Sequence, residues 1–284
     1  MADEPYELDE EFVMQMEDSP PFQWLMSYDE RFITCSAKAR EGKAEIHSVG
    51  NPFTVSRIFV ETFLNKSFDI SSKSYGIFIT VSGENQEILS KLKDHSGEAI
   101  VVSQGGNAKR LAREKGFDFF SLPKGIPSRF LFPEILGCLA SIFSINIPLN
   151  KLKQTLPTIS PSTPTENNVS KLLAYGMSRD FMISVDRNLM GIGRRIQDMM
   201  LQTMNKSSPI YWNDQVDLFL QNKKDNGKIV INDSSILLVD PLDKLNYKLK
   251  DLDLISIITI LDFAINYYAI LSKTDIVFMD VFKD

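Results

Sequence analysis

The sequence predicts an α/β protein made of two doubly wound lobes with mainly parallel sheets and a helical C-terminus. Three observations predict it. A strand-then-helix rhythm runs four times from Ala44 to residue 144, a Pro/Ser/Thr-rich break follows from Pro157 to Asn168, and the same rhythm returns at Phe181.

Residues 1–27 are acidic and lack periodicity until Phe22 to Met26, so they read as a tail with one docking turn. AEIHSV from Ala44 is a strand, and 54–64 carries Val55, Ile58, Phe59 and Phe63 at helical spacing. The pattern repeats as 75–82 with 86–95, as 98–103 with 107–116, and as 117–122 with an apolar helix over 130–144. The domains expected are therefore 28–156 and 169–284, joined by a linker over 157–168 that has no hydrophobic periodicity. In the second domain, strands at 181–185, 209–212 and 228–233 alternate with helices at 191–204 and 214–222. A long apolar helix over 251–271 and a short one ending at Lys283 follow. Two such lobes predict a crevice.

The 284 residues suit two domains. Apolar content of 43% and charged content of 24% are ordinary for a globular protein, and the apolar runs are shorter than the roughly 20 residues a membrane helix needs. The opening MADEPYELDEEF has neither a basic stretch nor an apolar one, so a signal peptide is not expected and the cytoplasm is. A net charge of −6 without a basic patch interleaved with aromatics argues against nucleic acid. Cys35 and Cys138 have no CxxC partner and read as reduced, buried thiols. His47 and His95 lack metal-ligand spacing, and the sequence calls for no metal and no cofactor.

The chemistry is expected in the turns that follow the strands, where parallel sheets expose backbone N–H groups to anionic ligands. Ser82-Gly83-Glu84-Asn85 offers a hydroxyl, a flexible glycine and an amide before a helix; the plainer reading is a helix cap by Ser82 or Asn85. Gly105-Gly106 permits close backbone approach to a ligand, or simply a tight turn. Arg129 follows Pro123, Gly125 and Pro127, so a stiff loop aims a permanent cation into the site.

The order of these motifs resembles the bifunctional phosphoglucose/phosphomannose isomerase family, built from two sugar-isomerase (SIS) domains, over most of 44–284. Ser82-Gly83-Glu84-Asn85-Gln86-Glu87 is similar to the family's Ser-Gly-Asn-Thr-Glu-Glu, Gln104-Gly105-Gly106 to its Ser-Gly-Gly, and Ser128-Arg129 to its Pro-Arg. Asp262-Phe263, Tyr267, Ala269, Leu271, Asp275 and Lys283 resemble its C-terminal pattern. The resemblance implies SIS-type domains, a sugar phosphate ligand, a homodimer, and aldose–ketose isomerisation through a cis-enediolate. It implies sugar-phosphate contacts at Ser82, Gly83, Asn85, Gly50, Gly105 and Gly106, enediolate stabilisation by Arg129 and ring opening by Lys283.

The departures bear on chemistry. Pro52 and Phe53 stand where the family has a Gly-rich loop with a sugar-contacting Ser, and Glu84 brings a charge to the phosphate turn. Gly193-Arg194-Arg195 is similar to the family's Arg-Arg, and the resemblance then implies Gln202 in place of the catalytic base. A neutral amide cannot accept a proton at physiological pH. Glu166, in the expected linker, is the one glutamate after Glu134, and no histidine follows His95; Trp212-Asn213-Asp214-Gln215 replaces the family's ring-opening His segment. Asp198, four residues before Gln202, shares its helical face and is a candidate substitute base. Three functions follow from this: a phosphosugar isomerase, a catalytically silent phosphosugar sensor, and a structural paralogue that binds nothing.

Overall fold

The computed structural model describes residues 17–33, 44–64, 75–179, 181–206, 209–212, 227–240 and 245–272. Two compact units form. One runs from Glu30 to Ile147; the other joins the stretch up to Asp29 to the chain from Pro148 onward.

In the first unit, β1 (Ala44–Ser48), β2 (Tyr75–Ile79), β3 (Glu98–Ser103) and β4 (Asp118–Ser121) pair in that order, all parallel. Every residue of β2 is buried. A strand buried on both faces reads as a continuous apolar run, which is why YGIFI and AIVV signal so clearly. Phe78, Ala99 and Val101 pack against Ile88, Leu89 and Leu92 of α4 (Gln86–Asp94) and Ala108 and Ala112 of α5 (Gly106–Lys115). The intervening Ile77, Ile79, Ile100 and Val102 are buried as well. Their face is left to α3 (Asn51–Phe63) and α6 (Phe132–Ile142), which pack on each other. A short helix, α2 (Tyr28–Ile33), precedes the sheet, and a 3-10 turn, Ser128–Phe130, leads into α6.

The second unit holds a mixed sheet in the order β6-β5-β7-β8-β9. β5 (Met182–Val185) runs parallel to β6 (Ile210–Trp212) and β7 (Lys228–Asn232). β8 (Ser235–Asp240) and β9 (Leu245–Leu249) complete it antiparallel. These last two strands are absent from the expectation above. Their signal is short alternation, with Ile236 and Leu238 buried on one face of β8, and a two-residue turn at Asp233-Ser234. Around this sheet lie α7 (Asn150–Ile159), α8 (Val169–Ser178) and α9 (Met190–Met204), with α10 (Leu254–Leu271) at the centre of the helices. By length and apolar content α10 is the one described helix that could cross a membrane, and 89% of it is buried inside the protein.

The docking turn expected near Phe22 to Met26 is a helix, and the stretch expected to be a linker carries structure. α1 (Pro20–Met26) buries Phe22 and Leu25 completely, with the Phe22 ring 5.9 Å from Phe263 and 5.0 Å from Tyr267 of α10. Pro157 lies inside α7. The turn after it is stitched by Asn168, whose Nδ2 donates to Ser160 O (2.9 Å) while its Oδ1 caps α8. Buried Lys171 donates to the carbonyls of Pro161 (3.0 Å) and Thr163 (2.8 Å). Cys138 is a buried free thiol; Cys35 and the helix expected at 214–222 lie outside the described residues.

Candidate functional site

Parallel pairing brings the carboxyl ends of β1 to β4 to one edge, so their four turns are neighbours. Cross-links between turns far apart in sequence hold that edge. Gln104 N donates to Val81 O (2.9 Å) and Ala108 N to Gly83 O (3.0 Å), joining the turn after β2 to the turn after β3. Gln104 Nε2 donates to Pro123 O (2.7 Å) and Ile126 O (3.0 Å), joining the turn after β3 to the Pro-Gly loop. Asn51 Nδ2 donates to Ser128 Oγ (3.1 Å), joining the first turn to the loop that bears Arg129.

Two glycines are required by how closely these turns approach. Gly83 has φ +79°, and a Cβ there would lie 2.0 Å from Gly105 O. Gly106 has φ +63°, and a Cβ there would lie 2.3 Å from Glu84 Oε1. Gly105 and Gly50 also have positive φ, and Gly50 precedes the first residue of α3.

Glu84 takes a position the sequence did not indicate. Its carboxylate turns onto the start of α5, accepting from Asn107 N (2.8 Å) and Asn107 Nδ2 (2.6 Å). A negative group is favourable at the positive end of a helix, so the chain supplies its own anion there. Ser82 Oγ accepts from Glu84 N (3.2 Å) and Asn85 Oδ1 accepts from Ile88 N (3.1 Å), making Asn85 the N-cap of α4. The amides of Gln86 and Glu87, at the first two positions of α4, are ones no helix can satisfy internally. Pro52 is buried in the first turn of α3, where its missing N–H costs nothing, and Phe53 is half-buried.

Arg129 is 4% exposed in the 3-10 turn, its guanidinium carbon 5.0 Å from the Phe130 ring centre. Burial lowers its pKa from the ordinary value, and an arginine so shifted still carries its charge at neutral pH. Behind the turn, Arg31 donates from Nε to Glu134 Oε1 (2.6 Å) and from Nη2 to Glu134 Oε2 (2.8 Å), and it also binds the Phe130 carbonyl. No sequence signal marks this pair, whose members stand 103 positions apart.

In the second unit, α9 carries Asp198 and Gln202 one turn apart. Asp198 forms an ion pair with Arg194, its Oδ1 3.1 Å from Nε; burial raises its pKa, against the pull of Arg194 and Arg195. Arg195 is core. It donates from Nε to Asp262 Oδ1 (3.0 Å) and from Nη2 to Asp262 Oδ2 (2.6 Å), and Tyr28 Oη donates to Asp262 Oδ2 (3.0 Å). All three side chains are buried. Burial acts against the Arg195 charge, but Asp262 and Tyr28 outweigh it and hold its pKa above the ordinary value; burial also pushes the Asp262 carboxyl up. Tyr267 Oη donates to Ile159 O (2.8 Å). The motif residues Arg195, Asp262 and Tyr267 thus secure helices to one another. Lys283 and Asp275 lie outside the described residues. Among the described residues no group of three or more His, Cys, Asp or Glu could hold a metal ion.

No model of a known protein family matches the chain. It is 26% identical over 140 residues to a D-glucosamine-6-phosphate 4-epimerase of Sulfolobus acidocaldarius, covering 48% of this chain and 46% of that protein. It is 24% identical over 160 residues to a bifunctional phosphoglucose/phosphomannose isomerase of Caldicellulosiruptor bescii, covering 51% and 47%. The matches span under half the length of these curated relatives. Two structures from Thermus thermophilus share the fold. A hypothetical protein has TM-score 0.63 at 12% identity, covering 94% of this chain and 89% of that one; a glucose-6-phosphate isomerase like protein has TM-score 0.59 at 11%, covering 92% and 93%. What these likenesses show is the fold, an α/β architecture with parallel and mixed sheets flanked by helices.

Proposed function

We propose that the chain binds a sugar phosphate at the carboxyl edge of its first sheet and does not isomerise it efficiently. The observation that carries this reading is the cross-linked rim. Four turns are bonded to one another, with Ser82 at the mouth of α4 and the Arg129 cation held in the adjoining loop. Pre-organised donors of this kind suit a phosphate, which needs hydroxyls, amides and a fixed positive charge. The names of the curated relatives, each an epimerase or isomerase of a phosphorylated hexose, support that substrate class.

What weighs against turnover is the chemistry of α9. Gln202 cannot take a proton, and Asp198, whose raised pKa is the direction a proton shuttle needs, is already ion-paired with Arg194. One observation favours a second reading, a paralogue that binds nothing: the Glu84 carboxylate already sits on the start of α5.

Thermal melts with fructose 6-phosphate, mannose 6-phosphate and the free sugars, beside a coupled isomerase assay, test both. A rise in Tm with the phosphorylated sugars alone, without turnover, is expected, because a ligand that binds the folded state stabilises it by mass action. No rise at millimolar sugar phosphate sinks the binding reading, and robust turnover sinks the silent one.

A further inference from the structure

We infer that the largely buried Arg31–Glu134 pair is a clamp that positions Arg129 at the candidate site. The inference rests on the reading of Arg129 as a ligand-binding cation, and it adds two residues to that reading.

The Ser128–Phe130 turn that carries Arg129 is only three residues long and follows a loop containing Pro123, Gly125 and Pro127. One 3-10 turn has few bonds of its own: Phe130 N donates to Pro127 O (2.9 Å) and Leu131 N to Ser128 O (3.3 Å). Its remaining anchors come from elsewhere. On the near side, Asn51 bonds Ser128 Oγ. On the far side, the Arg31 guanidinium binds the carbonyl of Phe130, the residue next to Arg129, while its fork grips both oxygens of Glu134 in α6. Glu134 lies in the first turn of α6, so the same guanidinium ties the 3-10 turn to the helix that follows it. Phe32, next to Arg31, packs edge-on against Phe132 with ring centres 5.9 Å apart, which docks α2 on the same corner.

A planar five-donor fork serves this geometry and a lysine does not, because two parallel bonds to a carboxylate and a third to a carbonyl need fixed directions. The side chains of Arg31 and Glu134 are 12% and 5% exposed, so the pair works largely out of water, where losing one partner strands the other. The pair acts on Arg129 through the backbone of the turn, at the Phe130 carbonyl.

The test uses the full chain. Arg31→Met/Glu134→Met removes both charges together, so no stranded ion unfolds the unit, and Arg31→Lys keeps the charge while losing the fork. Modification of Arg129 by phenylglyoxal is followed by peptide mapping, and fructose 6-phosphate affinity by calorimetry, with Arg129→Met as the reference. Arg129 in the double variant should react at least about tenfold faster than in wild type, and its fructose 6-phosphate affinity should fall about fivefold or more, with the fold retained by circular dichroism. Arg31→Lys should fall between the two. Unchanged Arg129 protection in the folded double variant overturns the clamp. Faster reaction at Arg129 with an affinity that neither the double variant nor Arg129→Met alters upholds the clamp on the turn and overturns Arg129 as a ligand contact.

Discussion

Asp262→Asn should be among the most damaging single-atom-scale changes this chain can suffer. Asp262 is 1% exposed, Arg195 2% and Tyr28 fully buried, and the carboxylate accepts three bonds of 2.6 to 3.0 Å from them. An asparagine keeps the shape but leaves the Arg195 guanidinium charged in the core, and breaking a buried pair in this way costs about 3–5 kcal/mol. At roughly 2–4 °C per kcal/mol for a large domain, Tm should drop by about 6–20 °C. Replacing both partners with apolar residues, Arg195→Met/Asp262→Leu, removes the stranded charge and should restore most of the loss, since such swaps are often neutral. Tyr28→Phe removes one bond to a charged acceptor and should cost about 1.5–3 kcal/mol. Urea and thermal denaturation of the full chain, run as a double-mutant cycle, give each figure. A melting point for Asp262→Asn within about 2 °C of wild type, or a double variant as unstable as the single, would show that the pair does not hold α9 and α10 together.

Two other outcomes follow from the geometry. Asp198 has its folded-state pKa raised by burial, so it contributes stability fully below the unfolded value near about 3.9 and loses it as pH rises through the folded value. Relative to wild type, Asp198→Asn should therefore gain stability as pH climbs from about 4 to 7 in a series of urea midpoints; a gap that stays flat refutes the assignment. Gly83→Ala forces a Cβ within 2.0 Å of a backbone oxygen at φ +79°. Left-handed strain and overpacking together should cost roughly 2–5 kcal/mol and abolish the sugar-phosphate melt shift, and a loss under about 1 kcal/mol would mean that the turns part easily.

How much of this was legible depended on whether the determining contact was local. The β–α rhythm of the first unit stands out in the sequence because β2 and β3 are buried on both faces, and Asn85 is readable as a cap because its partner Ile88 is three residues away. The Ser82 and Gly105 turns follow strands as expected, but their meeting is a tertiary fact. Glu84 looks like a charge intruding on a phosphate turn until its bond to Asn107, 23 residues on, shows it capping another helix. Arg195 and Asp262 both belong to the motifs that resemble the isomerase family, and nothing in their spacing says that they bond to each other. Lys171 sits among apolar residues of a helix and gives no sign that it holds the turn before it. β8 and β9 do not stand out because they form an antiparallel hairpin with β7, with no helix between strands, and so break the strand-then-helix rhythm that marks the others.

The bond from Tyr28 to Asp262 spans 234 positions of the chain, and it sets an order of events during synthesis. The unit from Glu30 to Ile147 is contiguous and has its partners at hand once it emerges. α1 and Tyr28 emerge before it and have nowhere to dock until α10 is made, a wait of about 10–50 s at typical translation speeds. During that interval Phe22 and Leu25, which the finished protein hides completely, are exposed to the cell. The stretch around Phe22 and Leu25 is therefore where the nascent chain should be most open to misassociation until α10 is made.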